Sequence, residues 1–212
     1  MLENKLGINN SAELAEAEER LTKQRAIELY DTGQIDKIPV GTYQGLSEIH
    51  YALFQDIYDF AGELRTENLA KGNFRFAPVL YLPEAIKAVD ELPQNSYREI
   101  IAKYVEMNIL HPFREGNGRS SRIWLDQMLK ASLGKVVDWS KIPKDDYLLA
   151  MERSPVKDIE IKALIADALT DRTKSRAVFM KGLDQSYAYE GYQVYSSSEL
   201  TKSSGKRKRF KK

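Results

Sequence analysis

The segment His111-Pro-Phe-Arg-Glu-Gly-Asn-Gly-Arg-Ser-Ser-Arg122 carries most of the chemical information in this chain. The glycines before Arg119 permit backbone angles that are closed to most residues, and a helix is predicted to begin with them. Such a turn presents free N–H groups and the positive end of a helix dipole, which suits a phosphate. Arg119 and Arg122 would lie on one side of that helix, and Glu115 is placed to hold a divalent cation against phosphate oxygens.

Each of these features also has an ordinary structural explanation. A histidine followed by proline commonly ends a helix, Gly-Asn-Gly commonly forms a turn, and an arginine at a helix start is commonly solvated. The features occur together within twelve residues, and this favours a functional interpretation. A base, an anion-binding turn, a carboxylate and two arginines are typical of phosphoryl or nucleotidyl transfer.

The sequence on both sides of this segment is predominantly helical in pattern. Apolar spacing and helix-end signals predict helices at 10–30, 42–60, 83–91, 97–110 and 118–133, one after Ser154-Pro155 that includes Leu169, a stretch to about 183, and a short helix at 186–190. Residues 63–82 contain Gly and Pro and roughly alternate in polarity, which predicts a short β-hairpin or extended flap. The predicted fold class is therefore all-α, a helical bundle with one small β-hairpin.

Two of these helices carry clear start signals. Asn10 with Glu13, and Ser96 with Glu99, have the spacing of a capping box, in which each side chain bonds the backbone of the other residue. On the first helix, the apolar spacing indicates that Leu14, Ala17, Leu21 and Ile27 face the core.

Composition excludes several classes of protein. The chain has 212 residues and no cysteine, so disulfides and thiolate metal sites are excluded. Its only histidines are His50 and His111, which excludes a His-rich zinc site. His50, between apolar helix positions, is expected to be a packed or surface residue away from the 111–122 segment. No apolar run approaches the ~20 residues of a membrane span, and the N-terminus does not resemble a signal peptide, so a cytoplasmic protein without membrane contact is expected.

Positive charge is concentrated at the C-terminus. The net charge is +1, yet residues 206–212 carry six positive charges, so the body of the chain is mildly acidic. Residues 196–212 are rich in Ser, Lys and Arg and are predicted to be disordered. A basic run of this kind binds polyanions, or it is simply a solvated tail.

The 111–122 segment resembles the signature of the Fic family in full, His-Pro-Phe-x-Asp/Glu-Gly-Asn-Gly-Arg-x-x-Arg, and residues 48–66 and 71–76 resemble the family's early helix and flap. The resemblance implies the Fic fold and transfer of AMP from ATP to a Tyr, Ser or Thr hydroxyl of a target protein. It implies His111 as general base, Glu115 as the Mg²⁺ ligand, Asn117 at the α-phosphate, and Arg119 and Arg122 at the β- and γ-phosphates. Gly116 and Gly118 complete the anion nest with Asn117.

The resemblance also assigns the flap a role in docking. It would clamp an extended segment of the target by main-chain pairing, as strand addition does. The alternative is an ordinary surface hairpin. The flap residues are Lys71, Gly72, Asn73, Phe74, Arg75 and Phe76.

Ser186-Tyr-Ala-Tyr-Glu190-Gly191 resembles the inhibitory helix of related proteins. The resemblance implies that Glu190 pairs with Arg122 and that Ser186 bonds near Asn117, which would deny the γ-phosphate its arginine. The expected organisation is a catalytic domain at 1–183, an inhibitory helix with its flank at 184–195, and a basic tail at 196–212. Four tyrosines beside this helix either pack it against the body or are self-modification sites: Tyr187, Tyr189, Tyr192 and Tyr195.

Several alternatives stay open at this stage. The motif does not decide between AMP transfer, transfer of another phosphate-linked group and removal of AMP, and the tail allows a non-catalytic polyanion-binding protein. Targets of related enzymes include small GTPases and type II topoisomerases. The latter are preferred here, in a toxin-like or regulatory role. A homo-oligomer is also compatible with the sequence.

Overall fold

The computed structural model describes residues 2–72, 74–192 and 194–201, and within them the chain is mainly helical. The predicted all-α class is confirmed. The α-helices are α1 Ser11–Asp31, α2 Tyr43–Phe54, α3 Leu82–Asp90, α4 Tyr97–Leu110, α5 Asn117–Leu133, α6 Lys144–Arg153, α7 Ile159–Asp167 and α8 Arg176–Tyr189. None of the helices in this described part of the chain is long and apolar enough to cross a membrane.

Helix α5 is the central element, and its position fixes the 111–122 segment. It packs against α2, α4 and α8, and Trp124 and Leu125 are fully buried at its middle. Gly134 ends it in a left-handed conformation, as the sequence predicts. Because α4 leads into α5 through residues 111–116, the two helices form a rigid frame for the loop between them.

Local end signals determine several helix boundaries. Ser96 and Glu99 form the predicted capping box, and α3 carries Pro83 in its first turn. Asn10 caps α1 by accepting the N–H groups of Ala12 and Glu13, whereas the reciprocal bond from the Glu13 side chain is not formed. The prediction for α2 was too long, because its last turn unwinds at Gln55 and residues 55–62 form turns.

Two small antiparallel sheets accompany the helices. Strands β1, Ala70–Lys71, and β2, Phe74–Arg75, form the predicted hairpin. The prediction of one hairpin was incomplete, because β3, Val136–Val137, pairs with β4, Leu169–Thr170. Leu169 is therefore a strand residue, and the helix predicted to include it ends at Asp167. Helix α6 was not predicted.

The C-terminal helices also differ from the prediction. Residues 176–189 form one continuous helix, so 186–190 is its last turn with Glu190 at the cap, and the expected boundary at 183/184 falls inside it. Within the predicted disordered tail, residues 197–201 are helical, and Ser197 donates its backbone and side-chain hydrogens to Asp184. The basic residues 206–212 lie outside the described residues.

Buried polar side chains on α1 hold this C-terminal region. Glu18, Glu19, Thr22 and Lys23 are all at most 2% exposed, although they occupy a helix face beside apolar Ala26. The predicted core residues Ala17 and Leu21 are only partly buried. Helix α1 therefore contacts α8 through polar groups: Lys23 pairs with Asp184, and Thr22 accepts from the Tyr187 hydroxyl.

Candidate active site

His111 occupies a constrained position at the end of α4. It is the C-cap residue, and its φ of 48° and ψ of 61° lie in the left-handed region, which costs a non-glycine residue about 1–2 kcal/mol. The imidazole stacks on the ring of the flap residue Phe76, with centroids 3.7 Å apart. Burial lowers the pKa of His111 to about 4, although the Asn108 carbonyl and Glu190 oppose the shift. His111 is therefore neutral near pH 7, the form that can accept a proton.

Arg65 supports this histidine, and the sequence reasoning did not single it out. Its Nε donates to the carbonyl oxygen of His111 at 2.7 Å, and its Nη2 donates to those of Leu110, at 3.1 Å, and Ala77. Its Nη1 donates to the carbonyl of Glu67 at 2.6 Å. The backbone N–H of Arg65 also bonds the Pro112 carbonyl at 2.8 Å. One buried side chain thus bonds both the start of the loop and the two flanks of the flap.

The loop after His111 is closed by Asn117. Its Oδ1 accepts the N–H of Phe113 at 2.9 Å and its Nδ2 donates to the Phe113 carbonyl at 2.7 Å. Phe113 is fully buried, as expected of a core anchor. Gly116 has a φ of 78°, and a Cβ there would lie 2.3 Å from the Phe54 ring, so both backbone angle and space require glycine.

His50 lies against this loop, so the expectation that it sits away from the motif was wrong. Its Nδ1 accepts the N–H of Gly62 at 2.8 Å, which places its proton on Nε2, and Nε2 donates to the Glu115 carbonyl at 2.8 Å. The ring stacks on Phe113 with centroids 3.9 Å apart. Burial lowers the pKa of His50 to about 4, so it stays neutral. It is a packed histidine, as predicted, and its function is to hold the loop.

Glu115 and Arg119 form an ion pair beside the loop, in which Arg119 is buried and Glu115 is partly exposed to solvent. The Glu115 carboxylate accepts from Arg119 Nη2 at 3.0 Å and from the Gly116 N–H at 2.8 Å, and its side chain is 43% exposed. Arg119 is buried and also donates to Glu18 of α1 at 2.6 Å. Burial would raise the pKa of Glu18, but Arg119, Tyr192 and Tyr58 outweigh it, so the pKa is lowered and Glu18 is ionised.

Arg122 is held by the last turn of α8 and by Tyr147 of α6, to which its Nη1 donates at 3.4 Å. Its Nη2 donates to Glu190 Oε1 at 2.7 Å and to the Ser186 carbonyl at 2.9 Å, and its Nε donates to Ser186 Oγ at 2.7 Å. The expected Glu190–Arg122 pair is thus present. Ser186, expected to bond near Asn117, bonds Arg122, and the Asn117 amide bonds the backbone of Phe113. Burial would raise the pKa of Glu190, but Arg122, Arg119 and Lys71 outweigh it and lower the pKa to about 2.

The Glu190 carboxylate also covers the start of α5. A Cβ built on Gly118 would lie 2.3 Å from Glu190 Oε1, so the carboxylate rests directly on the first turn of the helix. The first N–H groups of an α-helix have no acceptor within the helix and carry its positive dipole end. The carboxylate therefore occupies the place that suits an anion.

The flap lies at the edge of the same cleft. Ala70 pairs with Arg75 and Lys71 with Phe74, and Lys71, Gly72 and Arg75 are exposed. Phe74 and Phe76 are half-buried and pack edge to face. Asn73 lies outside the described residues. The structure thus brings the flap to the 111–122 segment through the contact between Phe76 and His111.

The tyrosines in and after the last turn of α8 are packing residues in this conformation. Tyr187 and Tyr189 are at most 2% exposed, and their hydroxyls donate to Thr22 and to the Ile142 carbonyl. The hydroxyl of Tyr192 donates to Glu18 at 2.6 Å. Tyr195 is half-buried, and its carbonyl accepts from Lys23.

Comparisons with known proteins show which family this chain resembles. Residues 41–129 match the Fic/DOC family. The chain is 32% identical over 166 residues to the probable protein adenylyltransferase y4lH of Sinorhizobium fredii, an alignment that covers 73% of this chain and 83% of the relative. It is 28% identical over 183 residues to the probable protein adenylyltransferase Fic of Salmonella typhimurium, an alignment that covers 81% of this chain and 88% of that relative.

Solved structures show the same fold. The type IV secretion system effector BepA superimposes with a TM-score of 0.69 at 24% identity, over 82% of this chain and 67% of BepA. The BepC protein of Bartonella tribocorum, with bound AMPPNP, superimposes with a TM-score of 0.66 at 21% identity, over 80% of this chain and 92% of BepC. The fold and the site define a helical domain with a glycine-rich loop between two helices. The chain belongs to the Fic/DOC family.

Proposed function

We propose that this chain is a protein adenylyltransferase that transfers AMP from ATP to a Tyr, Ser or Thr hydroxyl of a target protein. We propose further that the last turn of α8 inhibits it. The family membership and the names of the curated relatives support the reaction. The single observation that carries the inhibition is the Glu190 carboxylate, which pairs with buried Arg122 at 2.7 Å and lies against Gly118.

In the proposed reaction, His111 takes the proton of the target hydroxyl. The hydroxyl oxygen attacks the α-phosphorus, its bond to phosphorus forms, and the bond from phosphorus to the leaving pyrophosphate breaks. The N–H groups at the start of α5, formed by Gly116, Asn117 and Gly118, receive the charge that develops on the α-phosphate. Arg119 and Arg122 hold the β- and γ-phosphates. The low pKa of His111 supports its role, because a neutral imidazole is the acceptor.

Magnesium fits the donor set of this cleft as an ion carried by the nucleotide. Among the described residues, no cluster of three or more His, Asp or Glu side chains can hold a metal ion by itself. Mg²⁺ is usually bound through one or two carboxylates together with substrate phosphates. Glu115, with a 43% exposed carboxylate beside the helix start, supplies one such ligand. The ion would neutralise phosphate charge when bound.

Inhibition follows from competition between two anions. The γ-phosphate of ATP requires Arg122, which donates to Glu190 and Ser186 and has no exposed surface to spare. A nucleotide that enters with Glu190 in place meets a carboxylate at the helix start, and like charges at that distance repel. ATP would then bind without the geometry for in-line transfer.

The test is AMP transfer from ³²P-α-labelled ATP with Mg²⁺, with a cell lysate and a purified type II topoisomerase as separate acceptors. Three proteins are compared: the unaltered chain, Glu190→Gly, and Glu190→Gly with His111→Ala. We expect strong labelling by Glu190→Gly alone. Labelling by the double variant would remove His111 as the base, and no labelling by any protein would contradict the reaction. Equal labelling by the first two proteins would contradict the inhibition.

The remaining parts of the proposal concern organisation and partners. We propose residues 1–183 as the catalytic unit, residues 184–195 as the inhibitory segment, and residues 196–212 as a tail outside the catalysis. Type II topoisomerase is the preferred target, and a homo-oligomer is to be checked by sedimentation. Self-labelling on Tyr187, Tyr189, Tyr192 or Tyr195 would require the segment to leave its site, because the first two are fully buried. Mass spectrometry of ATP-treated Glu190→Gly decides this point.

A further inference from the structure

The buried guanidinium of Arg65 is an unusual cation, because its hydrogen bonds go to main-chain carbonyls instead of a carboxylate. Its three nitrogens donate to the carbonyls of Glu67, Ala77, Leu110 and His111. The side chain is 4% exposed. A buried charge of this kind is retained only where its fixed fork of donors matches a particular set of acceptors.

The four acceptors belong to two parts of the site. Leu110 and His111 end α4, where carbonyls lack N–H donors within the helix and where a cation is favourable. Glu67 and Ala77 flank the flap on its two sides, one before β1 and one after β2. Arg65 therefore joins the base of the flap to the backbone of the histidine that carries the proton.

Two further contacts show that the joined parts act as one unit. The N–H of Ala77 donates to the Ile109 carbonyl at 3.1 Å, and Phe76 stacks on the His111 ring with an interplanar angle of 16°. His111 also has the one positive φ of a non-glycine residue among the described residues. Such a conformation persists only when surrounding contacts over-determine it.

We propose that Arg65 is a positioning residue for transfer, which sets the His111 imidazole and the target-binding flap in one fixed geometry. This inference rests on the proposed function. Arg65 touches neither Glu115 nor the helix start at 116–122, whose loop is held separately by His50 and Asn117. Loss of Arg65 should therefore impair transfer and leave nucleotide binding intact.

The experiment uses the full chain with Glu190→Gly, with and without Arg65→Lys. Lysine keeps the charge, but its single nitrogen cannot reach four carbonyls in a fork. Arg25→Lys is the matched control, because Arg25 is a partly buried arginine whose side chain donates to Asp56 and Glu28 and to no flap residue. The transfer rate is measured as labelled AMP incorporated into a constant amount of cell lysate. Calorimetry with ATP and Mg²⁺ gives the Kd for ATP.

We expect Arg65→Lys to lower the transfer rate on the order of 10- to 100-fold, the effect of misplaced reacting groups. The Kd for ATP should stay within about twofold, as for independent sites. Arg25→Lys should change neither. An unchanged transfer rate would overturn the proposal. A Kd that weakens together with the rate would also overturn it, because that is the behaviour of a merely structural residue.

The two histidines provide a second readout that is independent of activity. With ¹³C-labelled histidine, the ring protons of His111 and His50 give two signals, each shifted by a stacked phenylalanine, Phe76 or Phe113. Arg65→Lys should move the His111 signal and leave the His50 signal in place. Movement of both signals, or of neither, would overturn the proposal. If Glu190→Gly transfers no AMP with Arg65 present, the proposed function fails, and this spectrum alone decides the role of Arg65.

Discussion

Replacement of Glu19 by glutamine should activate the protein without touching the catalytic loop. Glu19 of α1 is fully buried, and its carboxylate accepts the backbone N–H groups of Val194, at 3.0 Å, and Tyr195, at 3.1 Å. It also pairs with Lys23 at 3.0 Å, and Lys23 bonds Asp184 of α8 at 3.1 Å. These contacts hold the chain that follows Glu190, so they also hold the proposed inhibitory turn in place.

The size of the effect follows from the bonds that are lost. Glutamine keeps one acceptor oxygen, so one of the two N–H bonds to a charged acceptor is lost, and such bonds are worth about 1.5–3 kcal/mol. The pair with Lys23 is weakened as well, although Lys23 keeps Asp184 and the Tyr195 carbonyl. A total of about 2–4 kcal/mol shifts the docked-to-undocked ratio by roughly 30- to 1,000-fold. Basal AMP transfer should rise by that factor, up to the rate of Glu190→Gly.

The assay compares Glu19→Gln with Glu16→Gln, which changes an exposed glutamate of the same helix. Labelled-ATP transfer reports activation, and limited chymotrypsin digestion reports release of the segment through cleavage at Tyr192 and Tyr195. We expect both to rise for Glu19→Gln and neither for Glu16→Gln. Faster cleavage with no gain in transfer, in a background where Glu190→Gly is active, would refute the link between α1 and the inhibitory turn.

Three further predictions concern pH and glycine. Burial raises the pKa of Asp126 to about 7, so between about pH 4 and 7 the folded chain keeps a proton on Asp126 that the unfolded chain has lost. This group should therefore make the free energy of unfolding fall as pH rises through that range. Urea titrations at several pH values should show that this contribution to the pH dependence disappears in Asp126→Asn. The pKa of His111, about 4, predicts a Glu190→Gly transfer rate that is level from pH 6 to 8, and an acid limb near pH 6.5 would contradict it. Gly134→Ala, at a φ of 61° with open space around the new Cβ, should lower the free energy of unfolding by about 1 kcal/mol. Gly116→Ala, which places a Cβ 2.3 Å from the Phe54 ring, should lower the free energy of unfolding by more than that and should abolish transfer.

The features that the sequence predicts well are those encoded locally. Asn10, Ser96 and Gly134 satisfy helix ends with groups a few residues away, so their signals can be read without the fold. The 111–122 segment is similar, because its glycines, asparagine and arginines act within one loop and one helix turn. The glycine-rich turn and the helix start after it were therefore predictable from these residues, whereas the pairing of Arg122 with Glu190, 68 residues apart, was expected only from the family resemblance.

The features that could not be predicted depend on distant partners. Glu19 and Lys23 look like solvated residues of an amphipathic helix, and their burial is favourable because they pair with each other, with Asp184 and with the backbone of residues 194–195. His50 and Arg65 bond main-chain carbonyls, which leave no mark in the sequence. The sequence does contain one signal for the Glu19–Lys23 ion pair: the two residues are four apart and opposite in charge, beside an apolar stripe.

The inhibition that we propose would not be relieved by titration of Glu190 near neutral pH. Its pKa is lowered from an ordinary value of 4.5 to about 2 because Arg122 outweighs burial, so the pair contributes fully above pH 4.5 and is lost only as pH falls towards 2. Tyr192 and Tyr187 lie over the Arg119 guanidinium, so the same C-terminal segment covers both arginines. Since the charge at this turn is fixed near neutral pH, we expect activation of the proposed inhibited state to act on the polar contacts of α1 with Asp184, Tyr187 and residues 194–195.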